Sequence, residues 1–404
     1  MKTKTLSAVA AGILLSVSGI SAAEQRSAPI RIGVLTDMTG AYSQATGPGA
    51  VIAARMAVED FGGKVRGLPI EVLQADMQNK VDVSTSIARE WISTKGVDVI
   101  IDVPISSGTL AVNKIVKENN RLLFSAAGTT ELSGTECNGH SVQWVWDNYA
   151  MAAALTNALL AEGGKNWFFL TADYTFGHDL ERMSSDVVKA KGGKVVKSIR
   201  MPMGTVDQSS AVLELNASDA KVVGLANGGT DTQNSIKQLN EFGIGAASGH
   251  RVAAFVLSAG DVNSLGLDVA KGLYAPMPFY WDLNDQTRAW SKRFSDKAGR
   301  PPSYQQASVY SEITHYLKAL DKAPSSGGAD AIAAMRKLPI DDPLFGKAEL
   351  RVDGRPTFPM YLMQVKAPKE SKSQWDAFRV VSKVPADQVL RPLDKTGCSL
   401  VAAK

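Results

Sequence analysis

Hydrophobic and polar positions along the chain switch between two periods, and the switches mark its elements. Residues 30–35 (Ile-Arg-Ile-Gly-Val-Leu) form a short β-rich run that ends in a Gly/Ser/Thr loop. From 49 to 61, alanines together with Val51, Ile52, Met56 and Val58 recur at helical spacing. Strands are then predicted over 70–73, 97–103 and 122–125, and helices over 83–92 and 109–117. Such alternation argues for a parallel sheet with helices on both faces. The pattern restarts after a break near Asp147, with helices over 151–161, 179–190 and 231–242 and strands over 167–170, 194–199, 222–225 and 252–257. After Tyr274 its character changes. Residues 285–297, 304–322 and 329–338 read as helices with no strand between them, so they need an existing sheet to cover and are expected to return to the first half. Two late strands, 347–352 and 359–365, flank an Asp353-Gly354 turn and are assigned to the second sheet.

The first residues read as an address rather than as part of the fold. Lys2 and Lys4 precede an uncharged apolar stretch over 6–20, and Ser21-Ala22-Ala23 supplies small residues, the order of a secretory signal cleaved after Ala23. Beyond it no apolar run approaches the ~18–20 residues that span a bilayer. Composition is ordinary for a globular chain of 404 residues: 45% hydrophobic and 21% charged. The net charge of +4 is small and evenly spread, which argues against a nucleic-acid partner. In an oxidising compartment the two cysteines, Cys137 and Cys398, are expected to pair, tying the extreme C-terminus to the first third of the chain.

Catalytic and cofactor patterns are missing. The four histidines (His140, His178, His250, His315) are scattered without metal-ligand spacing, so no metal is expected. There is no Gly-x-Ser-x-Gly elbow, no phosphate loop and no dinucleotide fingerprint, so no cofactor is expected either. The informative residues are small and polar and stand at strand ends. The first strand-to-helix loop, 36–48, is longer than the usual ~2–6 residues and carries Tyr42. Ser106-Ser107-Gly108 follows the third strand, and Ala126-Ala127-Gly128-Thr129-Thr130 the fourth. Hydroxyls and free N–H groups there suit an anionic group, in the crevice outside the carboxyl ends of the strands. The second half offers 172–177 with Tyr174 and Phe176, then 227–231 with Asn227, Gly228 and Thr230, and 258–260 with Ser258. Phe279-Tyr280-Trp281 reads as packing at a crossing.

A signal-like start, then Ile-Arg-Ile-Gly-Val-Leu-Thr-Asp-Met-Thr-Gly (30–40) before an alanine-rich helix, resembles the solute-binding proteins of ABC importers, in the leucine/isoleucine/valine-type branch. Ser106-Ser107 with Ala127-Gly128-Thr129, the segment 171–178, and Asp353-Gly354-Arg355 before Met360-Tyr361-Leu362 carry the likeness further. The resemblance implies an α/β fold of two Rossmann-like lobes with parallel sheets, joined by three crossings. On it, 28–146 and 278–346 form lobe one, 147–277 and 347–385 form lobe two, and 386–404 is a tail returning to lobe one. It also implies a cleft in which Ser106, Ser107, Ala127, Gly128 and Thr129 cradle a carboxylate-like group, Tyr42 supplies a ring, and Tyr174 or Phe176, with 227–230, face it. Receptors of this branch for amino acids carry an acidic residue on lobe two to pair the ligand's ammonium. It is expected after a late strand, where Leu257-Ser258-Ala259 stands, and Asp173 or Asp231 is the alternative source. The expected function is a periplasmic, monomeric receptor that delivers a small organic acid, aromatic by preference, to a membrane permease. The alternatives are a receptor for branched-chain amino acids or amides, and an enzyme on the same scaffold.

Overall fold

The computed structural model describes residues 27–401; the signal-like segment 1–23 lies outside the described residues. The first half builds one sheet from β1 (Ile30–Thr36), β2 (Lys64–Val65), β3 (Leu68–Asp76), β4 (Val99–Asp102), β5 (Leu122–Ser125) and β6 (Ser141–Val142). Their order is β2-β3-β1-β4-β5-β6, and every pair is parallel except β2–β3. Helices α1 (Gly47–Asp60), α2 (Val81–Glu90) and α3 (Ser106–Glu118) make the connections. Because side chains alternate along a strand, the buried residues divide between two layers. Ile32, Val34, Val99, Ile101 and Phe124 join one core, while Leu35, Ile100 and Leu123 join the other.

The second half repeats the scheme with α4 (Asn148–Ala161), β7 (Asn166–Ala172), α5 (Thr175–Ala190), β8 (Lys194–Met201), α6 (Ser209–Asn216), β9 (Val222–Ala226), α7 (Thr230–Glu241), β10 (Arg251–Ala254), α8 (Ala259–Leu265), α9 (Leu267–Ala270) and β11 (Tyr274–Met277). The chain then crosses back as α10 (Asp285–Ala298), α11 (Tyr304–Leu320) and α12 (Gly328–Lys337). Here α10 and α11 pack on α1 of the first lobe, and α12 packs on α11. Helix α11 is buried along almost its whole length, and Ser303 and Gln306 form a capping box at its start. Gln306 also donates to the Gln44 and Thr46 carbonyls, which locks α11 to the loop before α1.

The late strands depart from expectation. Residues 347–352 yield only the short β13 (Gly346–Ala348), which pairs with β12 (Ile340–Asp342) in a separate hairpin. The Asp353-Gly354 turn does form, with Gly354 N–H on the Arg351 carbonyl, but a single bridge, Leu350 to Pro356, follows it. Two backbone bonds flank the bridge, from Arg351 N–H to the Arg355 carbonyl and from Thr357 N–H to that of Glu349, and the Arg355 side chain is buried. Its Nη1 donates to the Gln143 and Trp146 carbonyls (2.6 and 2.7 Å), and its Nε lies 3.4 Å from the Asp147 carboxylate. Strand β14 (Met360–Val365) does join the second sheet, antiparallel to β11, and β15 (Phe378–Val384) forms its edge. The order is β15-β14-β11-β10-β9-β7-β8, so this sheet is parallel from β11 to the β8 edge and antiparallel at β14 and β15.

Arg355 thereby staples the crossing over 143–147 to the one over 349–359, while Asp147 caps α4 by accepting Ala150 N–H at 2.8 Å. In the remaining crossing Phe279 stacks edge-on against Trp290, and Tyr280 packs on Phe378. The tail runs through α13 (Ala386–Val389), which packs on α4. Arg391 then donates to the Thr130 carbonyl at 2.8 Å, and Cys398 is bonded to Cys137 with their Cα atoms 5.3 Å apart.

Candidate functional site

The loop after β1 is shaped by one carboxylate. Asp37 accepts the N–H groups of Gly40 (2.6 Å) and Tyr42 (2.8 Å) and the amide of Asn79 (2.7 Å). This turn carries Tyr42 across to lobe two, where its hydroxyl hydrogen-bonds that of Tyr174, the residue before α5. The approach needs glycine on the far side. Gly229 has φ +59°, and a Cβ there would lie 2.3 Å from the Ala41 carbonyl oxygen.

Between the lobes remains a cavity of about 30 Å³, room for one or two waters. Its walls include Tyr42, Pro104, Ala126, Trp146, Tyr174, Phe176, Val256 and Gln305. The lobes stand closed on it. Trp146 meets Phe176 edge-to-face with centroids 6.4 Å apart and Tyr304 at 5.9 Å, and Tyr174 lies 6.0 Å from Phe176. Rings from lobe one, from a crossing and from lobe two thus form one box.

Of the residues singled out in the sequence, Tyr42, Tyr174 and Phe176 meet at this cavity. Gly228 is packed beside Tyr42 and Phe176; a Cβ on it would lie 3.4 and 3.6 Å from those rings. Ser106 opens α3 fully buried, and its hydroxyl has no hydrogen-bond partner. Ser107 beside it is half-buried. Ala127, Gly128 and Thr129 form a layer behind the box. The Ala127 and Thr129 carbonyls accept the Gln143 amide, and that of Gly128 accepts Asn148 N–H. A Cβ on Gly128 would fall 2.4 Å from Asn148 Oδ1 and 2.6 Å from the Trp146 ring, so its lack of a side chain sets where Trp146 stands.

The remaining lobe-two residues are occupied inside that lobe. Asn227 donates to Ser235 (2.9 Å) and accepts from Thr232 (2.8 Å). Thr230 is exposed at the start of α7, and Ser258 caps α8 through reciprocal bonds with Asp261. Trp146, Gln305 and Asp261 were not foreseen. Trp146 lies in a crossing without periodicity, where two indoles within three residues were the available signal. Asp261 stands in the turn where an acidic residue was sought, and Ser258-x-x-Asp261 is its capping-box signature.

Burial governs the electrostatics. It pushes the Tyr42 and Tyr174 phenols well above their usual range, so both stay neutral. Asp231, close enough to act on both rings, has its own carboxyl raised by burial against one bond from Gly204 N–H. Asp261 is likewise raised by burial, opposed by bonds from Ser258 and Gln233 and by the Arg300 charge. Among the described residues no cluster of three or more metal-ligating side chains occurs.

Two α/β lobes closed over a walled cavity define a binding protein of the two-lobed kind. The family model described as periplasmic binding protein matches residues 29–373, and the chain belongs to that family. A periplasmic binding protein from Burkholderia mallei superposes with a TM-score of 0.89 at 40% identity, covering 92% of this chain and 99% of that one. A branched chain amino acid ABC transporter periplasmic ligand-binding protein from Burkholderia xenovorans gives 0.83 at 36%, over 92% and 100%. A solute binding protein from R. palustris solved with benzoate gives 0.78 over 92% and 99%, with 20% identity, a likeness of fold alone. Among curated relatives, the Leu/Ile/Val-binding protein homolog 6 of Brucella abortus is 26% identical over 211 residues; the match spans about half of each chain (52% and 53%).

Proposed function

We propose that this chain is the extracytoplasmic receptor of an ABC importer, and that it binds a small aromatic organic acid between its lobes without converting it. The observation that carries the reading is the box of Tyr42, Trp146, Tyr174 and Phe176, assembled from both lobes and a crossing. A ring held there touches both lobes, so it favours the closed arrangement by contacts the open one lacks. The buried, unpartnered hydroxyl of Ser106 at the start of α3 is a candidate donor for the acid group. In this reading the closed monomer docks on a membrane permease, and the segment 1–23 directs it to the periplasm.

The cavity as it stands is too small for a benzoate, so entry requires the lobes to part or the Tyr42 and Tyr174 rings to swing apart. Asp231 supports a second reading, a branched-chain amino acid receptor, because its carboxyl lies near both phenols where an ammonium would pair with it. Thermal shift against benzoate, leucine and acetamide separates these. A ligand at ~100 times its Kd adds about 2.7 kcal/mol of stability. A shift with benzoate alone is the expected result. A shift with leucine alone replaces the aromatic reading by the second one. Recovery of chemically altered benzoate after incubation would overturn the receptor assignment.

A further inference from the structure

Beneath the cleft of lobe one lie two carboxyls that the site as described does not use. Asp102 ends β4, two residues before the cavity wall at Pro104, and its carbonyl accepts the N–H of Ala126, another wall residue. Its side chain is fully buried, and neither carboxyl oxygen has a hydrogen-bond partner of good geometry. Glu312, on α11, is 2% exposed and has only a long 3.4 Å contact from the Ser308 hydroxyl. Gln305, Ser308 and Glu312 share one face of α11, so a file of buried polar groups runs from the cavity toward Asp102. The Gln305 Oε1 and Ser106 Oγ atoms are buried and unpartnered as well. The backbone marks the same place: Asp102 and Val103 hold φ of +78° and +47°, left-handed values that cost a β-branched residue most.

Every charged group that acts on this pair is acidic. Asp37 faces Asp102 from the end of β1, and Asp102 acts on Glu312 of α11. The Thr36 hydroxyl is the sole group favouring the ionised form of Asp102, and Ser308 is its counterpart at Glu312. Among the described residues no cation acts on either. A buried carboxylate without a counter-charge takes a proton instead. Burial accordingly pushes Glu312 well up and Asp102 to about 7.

We propose that seating an anionic ligand in this cleft is coupled to uptake of a proton from solvent by Asp102, with Glu312 protonated throughout. An anion over the start of α3 and a second negative charge under Pro104 repel each other in a medium of low dielectric, and a proton on Asp102 Oδ removes that repulsion. The coupling rests on the organic-acid reading above, whereas the protonation of Glu312 at rest does not. By linkage, affinity is highest where Asp102 already holds its proton. Above neutrality it falls by up to about tenfold per pH unit.

The test is calorimetric titration of benzoate at pH 7 in two buffers of different ionisation enthalpy, with the wild type and Asp102→Asn. Asparagine tolerates the left-handed backbone at 102, so this variant keeps the turn. The expected result is net proton uptake in the wild type and none in the variant. Benzoate binding with no uptake overturns the coupling. Absence of benzoate binding at any pH overturns the organic-acid reading and the coupling with it. Infrared spectroscopy of the ligand-free Asp102→Asn variant tests Glu312 by itself: a buried carboxylic-acid band at neutral pH, lost when Glu312→Gln is added, is expected. Its absence overturns the protonated Glu312 whether or not benzoate binds.

Discussion

The two lobes share a scheme of sheet and helices but treat their cleft-side polar groups in opposite ways. In lobe two these groups are satisfied at home. Asn227 is bonded to Ser235 and Thr232, Ser258 and Asp261 cap α8, and Asp231 holds Gly204. In lobe one the Ser106 hydroxyl is buried without a partner and neither Asp102 oxygen has one of good geometry, and Asp102 and Val103 are both left-handed. An unsatisfied buried polar group costs about 1–3 kcal/mol, so a fold retains one where something else benefits. On the proposed function the difference divides labour: lobe one would grip the polar end of a ligand, and lobe two would close over it with rings.

That contrast can be broken in several ways. The largest effect is expected from Trp146→Ala, which removes the ring standing between the lobes. Stability should fall by about 3–5 kcal/mol and benzoate binding should vanish, read by denaturant unfolding and calorimetry. Next comes the double variant Cys137→Ser with Cys398→Ser. For so long a loop the chain-entropy model assigns about 5 kcal/mol as an upper limit, and real bridges give less. Its melting temperature should drop while affinity stays within a few-fold, since neither cysteine lines the cavity.

A paired experiment sharpens the contrast further. Asn227→Ala should destabilise by about 1–3 kcal/mol and leave affinity nearly intact, because its bonds lie within lobe two. Ser106→Ala should weaken ligand binding by about tenfold with no loss of stability. Equal behaviour of the two variants would end the division of labour. The smallest effect is a matter of pH. A carboxyl whose folded pKa is raised contributes stability in acid, and that contribution is lost as pH rises from the unfolded value through the folded one. For Asp102 the window runs from about 4 to about 7. Asp102→Asn should therefore raise the melting temperature at pH 8 more than at pH 5.

The layered α/β scheme was legible because it depends on period. The alternation in 30–35 and the long helix over 304–322 survive in β1 and α11. The strand over 347–352 was misjudged because its partner, Ile340–Asp342, carries two aspartates and does not look like a strand. At the site, Tyr42 and Tyr174 stood out as aromatics in strand-end loops. Trp146 did not, because a crossing has no period. That Asn227 turns inward depends on Thr232 and Ser235 in the first two turns of α7, and nothing local to the Asn-Gly-Gly run distinguishes this from an outward-facing amide.

The bond between Cys137 and Cys398 also bears on how the molecule responds to a protease. It closes the backbone into a ring whose ends are 261 residues apart in sequence, and the whole of the second sheet and all three crossings lie on that ring. A single cut anywhere between the two cysteines opens the ring without releasing a fragment. A nicked molecule would thus migrate as one species on a non-reducing gel and as two after reduction.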